Sequence, residues 1–176
     1  MTIDFTSRPS EKLSGVTIIT PSIFEEERGL IWTSYLDIKL KNLLPKDLYF
    51  KHDKFSESKF NVLRGIHGDN KSWKLVSCIY GSLKQVIVDM RKSSKTYLKW
   101  ESFDLGNKNK SMILIPPGMG NAFCVTSSYA IYHYKLAYDG EYIDANEQFT
   151  IAWNSPKLNI DWPTSTPILS KRDRIE

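Results

Sequence analysis

Residues 74–90 read KLVSCIYGSLKQVIVDM, and this stretch decides the fold class. The run Lys74-Leu75-Val76-Ser77-Cys78-Ile79-Tyr80 is rich in strand formers and ends at Gly81. After a short break, Gln85-Val86-Ile87-Val88-Asp89-Met90 alternates roughly with a period of two. A strand turns successive side chains to opposite faces, so short apolar runs bounded by turn residues read as strands.

The same pattern continues on both sides. Val16 to Thr20 is β-branched throughout and stops at Pro21. Asn61 to His67, Tyr97 to Phe103, Ser111 to Ile115, Ala122 to Thr126, Ala130 to Leu136 and Gln148 to Trp153 complete the set. Gly, Pro, Asn, Asp and Ser punctuate these runs at intervals of about ten residues, the rhythm of a sandwich or barrel. Only Tyr35 to Lys46 is expected to hold a helical turn. The prediction is an all-β jelly roll, one domain over residues 1–176. The chain ends in charge, KRDRIE, and its last residues are expected to be loose.

Hydrophobic residues make up 41% and charged residues 25% of the 176 residues, enough for a substantial core. The net charge of +4 is mild, and acidic residues interleave with basic ones, which argues against a nucleic-acid partner. Cys78 and Cys124 both lie in apolar strand contexts and read as buried free thiols. The opening MTIDFTSRPSEKLSG has no apolar signal core, and no run approaches a membrane span. A cytoplasmic protein without membrane contact is the expectation.

Three histidines are available for chemistry: His52, His67 and His133. His67 sits in VLRGIHGD with Arg64 three residues earlier. In a regular strand, residues three apart face opposite sides, so pattern alone does not bring both to one pocket unless the strand bulges. A packed histidine and a catalytic one fit that context about equally. A metal site is disfavoured because His67 is followed by Gly68 and Asp69, with no close histidine partner. Local signatures for dinucleotide, P-loop or serine-hydrolase chemistry are absent. Tyr134, in the run IYHYKLAY, would by itself read as a core or rim aromatic.

Taken together, four segments carry a family resemblance. HDKFSESKFNVLRGIHGD (52–69), WKLVSCIYGSLKQVIVDMRKSSKTYLKW (73–100), ILIPPGMGNAF (113–123) and IAWNSPKLNIDWPTSTPILSKRD (151–173) resemble dTDP-4-dehydrorhamnose 3,5-epimerases, in consistent order over almost the whole chain. The resemblance implies a metal-free, cofactor-free cupin, that is, a double-stranded β-helix jelly roll. It also implies a homodimer acting on a nucleotide-linked 4-keto-6-deoxysugar. By motif, His67 is the expected base, Asp173 its hydrogen-bond partner, Lys74 the stabiliser of an enolate and Tyr134 the acid on the opposite face. Arg64 matches the signature arginine, and Arg28 in EERG matches an early arginine expected to bind the diphosphate. The family's first strands are expected to cross between subunits and complete each site.

Departures from the family fall at the substrate rim. His52, Asp53 and Lys54 stand where glutamine, aspartate and asparagine are usual, so only the aspartate is kept. Asn121 replaces a histidine, Gly68-Asp69 replaces an aromatic and a glutamine, and YDGEYIDANEQF (138–149) is long. His52, Asn121 and Tyr138 are accordingly expected to contact the sugar. KHDKF, RGIHGD and YKLAYDGEY resemble most a subgroup acting on GDP-4-keto-6-deoxyheptoses for capsular polysaccharide. A dTDP-4-keto-6-deoxyhexose 3,5-epimerase, a single-centre epimerase, a 3,4-ketoisomerase and an inactive sugar-nucleotide-binding cupin are the alternatives.

Overall fold

The computed structural model describes residues 2–175. Its strands are β1 (Phe5–Pro9), β2 (Thr17–Pro21), β3 (Ile23–Glu26), β4 (Gly29–Trp32), β5 (Phe50–Lys59), β6 (Leu63–Gly68), β7 (Trp73–Tyr80), β8 (Ser82–Asp89), β9 (Trp100–Gly106), β10 (Met112–Ile115), β11 (Met119–Val125), β12 (Tyr129–Ala137) and β13 (Phe149–Thr150). One short helix, α1 (Asp37–Leu40), runs into a 3-10 turn at Lys41–Leu43, inside the segment expected to turn. The pairing in both main sheets is antiparallel.

The strands form a six-stranded sheet, ordered β1-β2-β10-β7-β12-β5, and a five-stranded sheet, ordered β13-β6-β11-β8-β9. The segment 74–90 supplies β7 to one sheet and β8 to the other, with the chain reversing at Gly81. This is the jelly-roll arrangement predicted. Its core joins both inner faces: Val76, Cys78, Ile113 and Tyr132 from one sheet meet Leu83, Ile87, Phe123 and Val125 from the other. The rings of Phe123 and Tyr132 stack at 4.2 Å between centroids and tie the layers together. Each fully buried aliphatic side chain of this kind stabilises the fold by roughly 1.5–3 kcal/mol.

Three features differ from the expectations. The polar segment FKHDKFSESK forms the ten-residue strand β5. It lies at the edge of its sheet and, among the described residues, pairs only with β12, so solvent accommodates its charges. The run Gln148 to Trp153 shortens to the two residues of β13. The C-terminal segment is tied down: Leu63 N–H donates to Ile168 O and Ile168 N–H to Asn61 O, while Asp173 is buried. Cys78 and Cys124 are buried and free. No helix among the described residues is long and apolar enough to cross a membrane.

Candidate active site

A cavity of about 170 Å³ opens between the two sheets. One wall carries Arg64 and His67 from β6 with Asn121 and Phe123 from β11, while the other carries Lys74 from β7 with Tyr134 and Leu136 from β12. Tyr134 and Leu136 face inward because they share one face of a regular strand, with His133 and Lys135 on the other. Arg64 and His67 need a different explanation. Across β6 and β11, His67 pairs with Asn121 and Arg64 with Phe123, so three steps on β6 match two on β11. This is a β-bulge, and its extra residue turns both side chains into the same cavity. Gly65 makes it feasible: its φ is +123°, and a Cβ there would lie 2.3 Å from the Cβ of Ala122.

His67 Nε2 lies 2.5 Å from Asp173 Oδ1. The carboxylate also accepts from Ser170 Oγ at 2.8 Å. The Asp173 side chain is 3% exposed and that of His67 is 21% exposed, so the carboxylate sits behind an imidazole that reaches the cavity. Burial by itself would raise the Asp173 carboxyl, but the hydrogen bonds from His67 and Ser170 outweigh it and hold it below the usual carboxylate range. A carboxylate at Nε2 keeps the proton on that nitrogen and leaves Nδ1 as the basic atom. Among the described residues, Nδ1 of His67 has no protein partner.

Lys74 is buried and ion-paired with Asp69, Nζ to Oδ2 at 3.2 Å. Burial lowers the ammonium pKa, and the Asp69 charge works against that shift. Asp69 is itself anchored, since its Oδ1 accepts from the backbone N–H groups of Lys71 and Ser72. Burial pushes the Tyr134 phenol up to about 12, so it carries its proton at neutral pH. Arg64 is held by Ser58 Oγ at 3.0 Å and by the carbonyl of Glu57. With Lys54 and Arg172, four cationic side chains line the cavity against the two carboxylates of Asp69 and Asp144. That balance suits an anionic ligand. Among the described residues, no three His, Cys, Asp or Glu side chains group as metal ligands.

Residues 10–176 match the model of the family described as dTDP-4-dehydrorhamnose 3,5-epimerase. This chain belongs to that family. The epimerase of that name from Salmonella typhimurium is 37% identical over 162 residues, covering 90% of this chain and 87% of the relative. A dTDP-4-dehydrorhamnose 3-epimerase from Streptomyces niveus is 33% identical, covering 92% and 78%. The crystal structure of the Legionella pneumophila dTDP-6-deoxy-D-glucose-3,5-epimerase with dTDP-4-keto-L-rhamnose superposes with a TM-score of 0.88 at 32% identity, covering 97% of this chain and 90% of that one.

The cavity gathers most of the positions that the family motifs single out. Arg64, His67, Lys74, Asn121 and Tyr134 line it, and Asp173 backs His67. Arg28 is elsewhere. It lies in the turn of the β3–β4 hairpin, ion-paired with Glu26, and its side chain is 83% exposed. His52 and Tyr138 do not line the cavity; their rings pack at 4.7 Å and 5.7 Å from that of Tyr142, which does. The family reading set Lys54 and the segment holding Tyr142 and Gln148 at the substrate rim only as departures, and it passed over Arg172; all four line the cavity. Arg172 had one signal in the sequence, its place beside Asp173 in the run KRDR. It is fixed by Thr150 Oγ1 at 2.9 Å.

Proposed function

We propose that this member of the family is a cytoplasmic dTDP-4-keto-6-deoxyhexose 3,5-epimerase. The single observation that carries the reading is the opposition of His67, backed by Asp173, and a protonated Tyr134 across one cavity. A 4-keto group acidifies the hydrogens on its neighbouring carbons. Nδ1 of His67 takes one, the C–H electron pair becomes the carbon–carbon double bond of an enolate, and charge moves to the C4 oxygen. Lys74 stabilises that charge from a buried position, where an ammonium acts most strongly. The Tyr134 hydroxyl then gives a proton to the carbon from the other face, the C4 ketone re-forms and the centre is inverted. Exchange with water returns both groups to their starting states.

The cavity is small beside the roughly 300–1,000 Å³ of a whole-ligand site, so it suits the sugar alone, with the diphosphate at the cationic mouth. In this reading the chain works as a homodimer and the exposed hairpin of one subunit brings Arg28 to the other's mouth. Ile23, Phe24, Leu30 and Ile31 on that hairpin are exposed and available for such a contact. The guanosine-linked heptose expected from KHDKF, RGIHGD and YKLAYDGEY has no support in the relatives described, whose names give thymidine-linked sugars. The hexose alternative therefore becomes the main reading. The 3-epimerase among the relatives makes the number of centres a separate question.

NMR of the protein with dTDP-4-keto-6-deoxyglucose in deuterated water tests the reading. Deuterium at both C3 and C5 is expected. Uptake at C3 alone would make the enzyme a single-centre epimerase, and no uptake would overturn the activity. A higher kcat/KM with GDP-4-keto-6-deoxy-lyxo-heptose would overturn the choice of substrate.

A further inference from the structure

A fully buried neutral network lies directly behind the cavity wall. Gln85 on β8 and Tyr132 on β12 are 0% exposed, and both reach the side chain of Asn121. Gln85 Nε2 donates to the backbone carbonyl of Val86 at 3.0 Å and to Asn121 Oδ1 at 2.6 Å, while the Tyr132 hydroxyl donates to Gln85 Oε1 at 2.6 Å. Tyr132 also lies 3.3 Å from Asn121 Oδ1.

The polarity of this chain has one fixed end. A backbone carbonyl can only accept, so the Gln85 atom facing Val86 O has to be the amide nitrogen. Its second N–H then points at Asn121, which has to answer with Oδ1. Turning either amide over would set two acceptors, or two donors, against each other in a buried site. Asn121 Nδ2 is thereby left without a protein partner among the described residues, on a side chain that lines the cavity beside His67, its cross-strand neighbour.

We propose that Gln85 is a positioning residue which, with Tyr132, locks Asn121 so that Nδ2 is a charge-neutral hydrogen-bond donor to an oxygen of the sugar next to the carbon facing His67. The inference rests on the epimerase reading above. An amide does not titrate, so this contact stays a donor at every working pH. A histidine, usual for the family at this place, would donate or accept according to pH and tautomer. The replacement of the family's histidine by Asn121 therefore goes with a neutral support, Gln85, behind it.

Asn121→Asp tests the proposal because it is isosteric. A carboxylate still accepts from Gln85 Nε2, so the buried bonds persist and only the cavity-facing donor becomes an acceptor. The expected result is a loss of about 100-fold in kcat/KM for dTDP-4-keto-6-deoxyglucose, the scale for losing one donor to a reacting group. Thermal stability and dTDP binding should stay near wild type. The gap should narrow toward acid pH, as protonation of the new carboxyl restores a donor. A merely structural role for Asn121 predicts neither the loss nor its pH dependence. Gln85→Leu should cost about 10-fold alone and little more in the N121D background, because two residues acting through one contact are not additive. Activity of N121D within threefold of wild type, or fully additive losses, would overturn the proposal. Absence of deuterium exchange in the wild-type protein would instead point to failure of the epimerase reading itself.

Discussion

The molecule contains two imidazole–carboxylate pairs of nearly equal geometry and unequal chemical opportunity. His67 and Asp173 meet at 2.5 Å inside the jelly roll, and His133 and Asp53 meet at 2.6 Å on the outer face of the six-stranded sheet. In both pairs the carboxyl is held below its usual range despite burial that works the other way. The difference lies at the second ring nitrogen and around the carboxylate. Nδ1 of His133 faces Ser77 Oγ at 3.5 Å, its ring stacks on Phe55, and Asp53 is shared with Lys135 at 2.8 Å. His67 has an Nδ1 without a partner among the described residues, a cavity and a buried carboxylate. A close His–Asp distance is common to both pairs; access of the other ring nitrogen to the cavity is what separates them.

The largest expected effect follows directly. His67→Ala should lower deuterium uptake by about 10³-fold or more, near the upper end for general-base catalysis. Binding of dTDP should change little, while Tm should fall, because the buried Asp173 carboxylate loses its hydrogen bond from His67. Normal uptake by a folded variant would remove His67 from the chemistry and erase the contrast between the pairs. Asp173→Asn comes next. The amide can still accept from Nε2 but no longer stabilises a protonated ring by charge, so turnover should fall by about 10–100-fold with dTDP affinity within twofold of wild type. Turnover at the wild-type level would show that the buried carboxylate is only structural.

How the first pair could be read from the sequence, and where reading stopped, has a physical basis. Val76, Val86 and Ile113 sit in short apolar runs bounded by turn residues, and each run becomes a strand in the fold, so the two-layer architecture was legible. His67, Lys74, Tyr134 and Asp173 could be picked out only together, by motif, because they come from separate strands and the C-terminal turn. That Arg64 shares their cavity was beyond periodicity: it depends on one extra residue in β6 and on a positive φ at Gly65. The edge strand β5 was hidden by its charges, since it buries little of one face. Arg172 was hidden in a basic run that resembles a loose tail but is in fact packed against the body of the protein. Arg28 stands apart because the fold of the single chain holds it in an exposed hairpin turn, away from the cavity.

The second pair provides the smaller tests. His133→Asn removes the outer imidazole and should leave deuterium uptake within threefold of wild type, since neither ring nitrogen reaches the cavity. A loss comparable to that of His67→Ala would mean that the outer face takes part in the reaction. Acid stability separates the two carboxylates more finely. Each has a folded pKa below the ordinary value of about 3.9, so each stabilises the fold above that pH and loses its contribution as pH falls through the folded value. The difference in Tm between wild type and Asp173→Asn should therefore be full near pH 6 and shrink below about pH 4. The same comparison for Asp53→Asn should give a smaller difference throughout, because Asp53 is half exposed and solvent screens its partners. Equal differences for the two variants would show that burial does not set the strength of these pairs, and the contrast would then rest on access to the cavity alone.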